Sequence, residues 1–158
     1  MSGPVTPITV LMADDDPDDR LMTKEAWEEN RIANKLVFVN DGEELMDYLY
    51  HRERYSDPKM SPRPGLILLD LNMPKKDGRE ALKEIKADPD LARIPIVIIT
   101  TSNAEEEIVR SYDLGVNSFL SKPVTFEQLV KMIHLLNEYW LGIVRLPGNN
   151  DQNGKIRG

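Results

Sequence analysis

The sequence predicts an α/β domain in which a parallel sheet carries helices on both faces. Three observations support this. Strand-like and helix-like segments alternate five times along the 158 residues, the pattern of a parallel sheet whose crossovers are helices. The run Leu66-Ile67-Leu68-Leu69 is short and apolar throughout, as expected of a central strand buried on both faces. Chemically capable side chains stand just past the ends of four strand-like runs: Asp14 and Asp15, Asp70, Thr100, and Lys122. In open α/β sheets, ligands bind outside the carboxyl ends of the strands.

Taken in order, residues 1–7 read as a loose leader, and Ile8 to Ala13 as the first strand, ending in Asp14-Asp15-Asp16. Pro17 suits the first position of a helix capped by Asp16 and running to about Asn30. Lys35 to Val39 is a second strand, closed by the turn signal Asn40-Asp41-Gly42. A helix is predicted over Glu43 to Arg54, followed by a long proline-rich loop from Tyr55 to Gly65. The third strand ends at Asp70, and Lys75-Lys76-Asp77-Gly78 leads into a helix over Arg79 to Ala87. Asp88-Pro89 stops that helix, because a residue before proline is driven out of the helical region. Ile94 to Ile99 is the fourth strand, Ala104 to Asp113 a mostly polar helix, and Ser118 to Ser121 the fifth strand. The last helix is predicted over Thr125 to Val144 with Thr125 as its cap, and residues 147–158 as a disordered tail.

Composition narrows the function. The length fits one domain. No apolar run is long enough to span a bilayer, and the N-terminus lacks a signal pattern. The chain has no cysteine, which excludes disulfides, thiolate metal sites and a cysteine nucleophile and suits a cytoplasmic location. A net charge of -7 argues against a nucleic-acid surface, and no helix-turn-helix or basic patch is visible.

Each of the strand-end residues taken singly has an ordinary role: a helix cap, a turn, a surface charge. If the strands run parallel, their carboxyl ends share one edge and the groups converge. Two carboxylates about 4 Å apart repel by roughly 4 kcal/mol at an effective dielectric of 20. Gathered acids therefore call for a bridging cation, and Mg²⁺ takes such oxygen ligands. A carboxylate beside Mg²⁺ and a lysine can attack a phosphoryl group, with both cations offsetting the charge on the transferring oxygens.

These residues lie in motifs that closely resemble the receiver domain of bacterial two-component response regulators. The resemblance spans Ile8 to about Glu138. It rests on Met12-Ala-Asp-Asp-Asp-Pro17, Leu68-Leu-Asp-Leu-Asn-Met-Pro74 with Asp77-Gly78, Ile98-Ile-Thr-Thr101, and Phe119-Leu-Ser-Lys-Pro123. It implies a flavodoxin-like (βα)5 three-layer sandwich with strand order 2-1-3-4-5, occupying residues 8–146 with a C-terminal helix extension. It also implies that Asp70 is the phosphoacceptor. Asp15 would be a direct Mg²⁺ ligand, Asp14 would act through water, and Asn72 would contribute its backbone carbonyl. Thr100 would be the switch hydroxyl, Phe119 the switch aromatic, and Lys122 the lysine before a cis proline at Pro123. Thr101 is bulkier than the residue often found there, and is expected to narrow the water path to the acyl phosphate and slow its hydrolysis. The long loop, the Lys75-Lys76 spacing and the ending Asn137 to Pro147 are similar to single-domain regulators that partner bacterial phytochrome histidine kinases.

The expected partner is thus a sensor histidine kinase, the expected output a changed surface on the fourth helix, fifth strand and fifth helix. Apolar residues cover more than one face of the last helix, from Phe126 to Val144, which suggests a homodimer through that surface. Rival readings are a haloacid-dehalogenase-type phosphatase, a flavodoxin-type cofactor protein, and a pseudo-receiver that binds a partner without being phosphorylated. The first wants a second acid where this chain has Asn72, and the second a phosphate-cradling loop after the first strand.

Overall fold

A computed structural model describes residues 8–71, 73, 75–100, 118–123 and 125–139, with the side chains of Thr100, Ser118, Phe119, Ser121, Asn137 and Tyr139 excepted. The leader, Asn72, Pro74, Thr101, the helix expected over 104–113 and the tail lie outside the described residues. The strands are β1 (Thr9–Ala13), β2 (Leu36–Val39), β3 (Pro64–Leu69), β4 (Ile96–Thr100) and β5 (Ser118–Ser121). The helices are α1 (Pro17–Glu29), α2 (Gly42–Leu49), α3 (Gly78–Ala87) and a C-terminal helix (Phe126–Tyr139). All strand pairs are parallel and the sheet order is β2-β1-β3-β4-β5.

Alternation along the strands divides the core into two layers. Leu11 and Ala13, Ile67 and Leu69, and Ile96 and Ile98 face α2 and α3, where they join Leu45, Met46, Leu82 and Ile85. Val10 and Met12, Leu66 and Leu68, and Val97 and Ile99 face α1 and the C-terminal helix, meeting Ala26, Trp27, Leu129 and Ile133. The central strands are therefore buried on both sides, which is why their sequences are almost unbroken runs of apolar residues. Full burial of each such side chain contributes about 1.5–3 kcal/mol.

Register sets the edge that matters. Ala13 pairs with Leu69, so the residues that follow, Asp14 and Asp70, leave the sheet side by side. Thr100 pairs with Ser121, so Lys122 leaves at the same edge.

Aspartates start the three helices near this edge. Asp16 accepts from the Asp18 amide, Asp41 from Glu44 and Asp77 from Glu80, each filling an otherwise orphan helix donor. Pro17 takes the first helical position as expected. At the start of the C-terminal helix, Thr125 Oγ1 accepts from the Gln128 amide at 3.1 Å.

Several boundaries differ from the sequence reading. α2 ends at Leu49 rather than Arg54, because His51 and Glu53 adopt left-handed backbone (φ 55° and 53°). The expected loop opens with a short 3-10 turn, Glu53–Tyr55, and is tied down along its length. Tyr48 Oη donates to the Pro62 carbonyl at 2.8 Å, His51 Nε2 lies 2.8 Å from the Ser61 carbonyl, and Arg63 pairs with Asp90 at 2.9 Å. β4 starts at Ile96 because a second 3-10 turn occupies Leu91–Arg93.

Gly78 is where α3 meets the Asp70 turn. Its amide donates to the Leu71 carbonyl at 3.0 Å, and a Cβ there would overlap the Asp70 carbonyl oxygen and the Leu71 Cα. These are backbone atoms and cannot give way cheaply. Gly78→Ala is therefore expected to cost about 1–3 kcal/mol, the range for overpacking, measured as a lower urea midpoint with an unchanged m-value.

The loop also contains a titrating tie. Tyr55 Oη donates to Glu44 Oε2 at 2.6 Å. Burial alone would raise the Glu44 carboxyl, but hydrogen bonds from Tyr55 and the Asn40 amide and the Arg54 charge outweigh it and hold it below the ordinary 4.5. A depressed carboxylate stabilises the fold above its ordinary pKa, and that contribution is lost as pH falls through the folded value. Tyr55→Phe should cost about 1 kcal/mol at neutral pH, and the difference should close in acid below the glutamate range when urea unfolding is repeated there.

Candidate acidic pocket and its lysine

Four of the residues picked out from the sequence come together at the carboxyl edge of the sheet. Carboxylate oxygens of Asp14, Asp15 and Asp70 lie within 4.8 Å of one another. Asp14 and Asp70 are buried, whereas Asp15 is exposed at the pocket mouth. Asp14 is fixed by its Oδ1 accepting from the Asp16 amide at 2.9 Å. Asp70 is fixed through its own amide, which donates to the Ala13 carbonyl at 3.1 Å. That bond extends the β1–β3 ladder by one step beyond the sheet and holds the two acids at the same level.

Lys122 reaches into this cluster from the end of β5. Its Nζ lies 2.9 Å from Asp14 Oδ2, 2.9 Å from Asp70 Oδ2 and 2.6 Å from Asp19 Oδ2, with its side chain only 12% exposed. Burial by itself favours the neutral amine. The close carboxylates of Asp19, Asp70 and Asp14 outweigh it, so the pKa of Lys122 is pushed up and the group is firmly an ammonium. Burial also pushes the Asp14 carboxyl above the ordinary aspartate range. The Asp16 amide and Lys122 pull it back part of the way, and the Asp70 charge adds to the rise.

Asp19 is the member of this group that the sequence reading missed. It was legible in principle: it lies four residues before Thr23 and seven before Ala26, on the face of α1 that packs inward.

Asn72 lies outside the described residues, and Thr100 and Phe119 are described by backbone alone. Their strand positions are at the end of β4 and level with Ile98 in β5.

One expectation is corrected. The Lys122–Pro123 peptide is trans, and no described peptide bond is cis. Trans is favoured at X-Pro bonds by about 0.5–1 kcal/mol, and in this form the ammonium already reaches three carboxylates.

The residues fit a hard divalent cation. The donors are all carboxylate oxygens, the chemistry that suits magnesium or manganese. Asp14 Oδ2 is fully buried and makes no hydrogen bond of normal geometry, although the Lys122 ammonium is 2.9 Å away. A buried acceptor left in that state has capacity for a cation. Lys122 offsets one of the gathered negative charges, and a divalent ion would offset two more.

Comparison with known proteins agrees with this geometry. Residues 10–134 match the family model described as the response regulator receiver domain. The chain is 43% identical over 141 residues to response regulator Rcp1 of Synechocystis sp., covering 89% of this chain and 94% of Rcp1. Among solved structures it is similar to the phosphorylated cyanobacterial phytochrome response regulator RcpA, with a TM-score of 0.79, 41% identity, and coverage of 86% of this chain and 95% of that one. It is also similar to the Mn(2+)-bound form of Rcp1, with a TM-score of 0.77, 42% identity, and coverage of 90% and 100%. The fold, the acidic cluster with its lysine, and these likenesses lead to one conclusion: the chain belongs to the response regulator receiver domain family.

Proposed function

We propose that this chain accepts a phosphoryl group on Asp70 from a phosphohistidine of a sensor kinase, and that the kinase is of the phytochrome class. The observation that carries the reading is the Lys122 ammonium 2.9 Å from the Asp70 carboxylate, beside two further acids. The likeness to Rcp1 and RcpA supports the choice of kinase.

In the transfer, an Asp70 carboxylate oxygen forms the new bond to phosphorus while the bond to the histidine nitrogen breaks, and the electron pair stays with the imidazole. The product is a mixed anhydride, the aspartyl phosphate. The buried site holds Asp70 in place and keeps its approach short. Lys122 donates to a phosphoryl oxygen as negative charge shifts onto it, an interaction worth most where water is excluded. Asp14, Asp15 and Asp70, with the Asn72 carbonyl, would hold Mg²⁺. When bound, that ion neutralises charge on the phosphoryl oxygens and aligns them. The chain acts on its own carboxylate and later loses the phosphate to water, and in this sense is a switch rather than a turnover enzyme.

Signal output follows from charge. Phosphorylation adds about -1.5 to -2 charges and three strong acceptors. Thr100, at the end of β4, is the hydroxyl we assign to receive a phosphoryl oxygen, and Phe119 in β5 is the aromatic that follows it. The altered surface comprises the segment 104–113, β5 and the C-terminal helix. Phe126 and Leu135 of that helix are 39% and 53% exposed, and this supports a homodimer through the same surface.

Intact mass after incubation with acetyl phosphate and Mg²⁺ should show one added phosphoryl group, lost with EDTA and absent in Asp70→Asn. A folded protein that takes no phosphoryl group would instead be a pseudo-receiver, with partner binding as its function. Asp15→Asn, at an exposed position, should leave the fold intact and weaken Mg²⁺ binding about tenfold or more by calorimetry. Light scattering at micromolar concentration should give a dimer mass; a monomer in both phosphorylation states would refute the interface.

A further inference from the structure

We propose that Asp19 is a positioning residue for phosphoryl transfer, holding the Lys122 ammonium where it can serve Asp70. The proposal rests on the reading of Asp70 as the phosphoacceptor.

Asp19 gives Lys122 its shortest contact, 2.6 Å against 2.9 Å to Asp14 and Asp70. It is not an ordinary surface acid. It sits on the inward face of α1, its side chain only 29% exposed. The next inward residue on that face, buried Thr23, donates from its hydroxyl to the Asp19 carbonyl at 2.7 Å.

An ammonium has three hydrogens to donate, and the carboxylates of Asp14, Asp19 and Asp70 all lie within 2.9 Å of it. Of the three, Asp14 and Asp70 also belong to the carboxylate cluster that fits a cation. Asp19 stands apart from that cluster, so it can remain bound to Lys122 when the other two turn to a metal ion. The arriving phosphoryl oxygen then takes the hydrogen released by Asp70, and Asp19 keeps the nitrogen in place during the exchange.

Packing alone cannot do this. A lysine stem is long and free to adopt many rotamers. Beside that stem lies a cavity of about 20 Å³ lined by Met12, Ile99, Leu129 and Met132. Packing on that side is therefore incomplete by about one water-sized void, and the ion pairs add restraint on the head.

The test uses the full chain as wild type, Asp19→Asn, Asp19→Ala and Asp19→Glu, each also combined with Lys122→Ala. The first readout is the rate of phosphoryl incorporation from acetyl phosphate at saturating Mg²⁺, followed by intact mass. The second is the ¹H–¹⁵N ammonium signal of Lys122 in metal-free protein, assigned by its loss in Lys122→Ala.

Asp19→Asn and Asp19→Ala should slow incorporation roughly tenfold or more, the order lost when an orienting partner is removed. Asp19→Glu should recover most of the rate, and none of the three should slow Lys122→Ala further. The ammonium signal should shift and broaden in Asp19→Asn as its protons exchange faster with water. An unchanged rate, a slowing that persists in the Lys122→Ala background, or an unmoved ammonium signal would each overturn the proposal. Wild type that takes no phosphoryl group would instead overturn the phosphoacceptor reading, so the two failures are distinguishable.

Discussion

The sharing of one ammonium by three carboxylates is the interaction on which the rest of this structure depends. Asp14 and Asp70 are placed side by side because Ala13 and Leu69 are partners in the β1–β3 ladder. Both are buried, with the Asp16 amide holding the Asp14 carboxylate and Lys122 donating to the Asp70 carboxylate. Like charges held this close in a buried setting oppose folding, and leaving a buried charge unpaired costs several kcal/mol. Lys122 relieves that opposition in part. The remaining excess of negative charge is what makes the pocket receptive to a hard cation. Local features around the pocket serve the same end. Aspartate caps pin the starts of α1, α2 and α3, and Gly78 lets α3 approach the Asp70 turn more closely than any side chain would allow.

Much of this edge was legible from the sequence because parallel topology converts spacing into position. Once strands and helices are seen to alternate, every strand ends at the same edge, and Asp14, Asp70 and Lys122 converge without any knowledge of register. Helix starts were legible for a similar reason: an aspartate followed by proline or glycine carries its own local explanation. What depended on contacts distant in sequence was not legible. α2 was read too long because its apolar spacing continues past Leu49, while the left-handed His51 and the bonds from Tyr48 to Pro62 and His51 to Ser61 turn the chain earlier. Gly78 read as a turn residue, since nothing in Asp77-Gly78 reveals that the Asp70 carbonyl lies where its side chain would be. Asp19 was passed over because an acid early in a helix already has a sufficient role beside the helix dipole.

The loop after α2 shows how an insertion can be long without being loose. Tyr48, His51, Tyr55 and Arg63 each anchor it to a different neighbour, and Tyr50 Oη adds a bond to Asp88 at 2.8 Å. Asp88 and Asp90 belong to the connection between α3 and β4, so the loop spans the α2–α3 layer and fastens two crossovers together. That layer packs on the face of the sheet opposite to α1 and the C-terminal helix.

The attachments of Lys122 explain how a change of charge at Asp70 can reach the last helix. Thr125, three residues after Lys122, caps that helix, and the helix packs on α1, where Asn30 Nδ2 donates to the Val130 carbonyl at 3.1 Å. The ammonium thus joins the carboxyl ends of β1 and β3 to α1 through charge. On the proposed reading, a phosphoryl group at Asp70 would redistribute the contacts of that ammonium among its neighbours. Only the difference in free energy between the old and new distributions can shift one conformation toward another. A site in which the lysine had a single partner would have one bond to make or break. Here three carboxylates on different elements surround it, so Asp14 and Asp70 can give up their shares of the ammonium while Asp19 on α1 keeps hold of it.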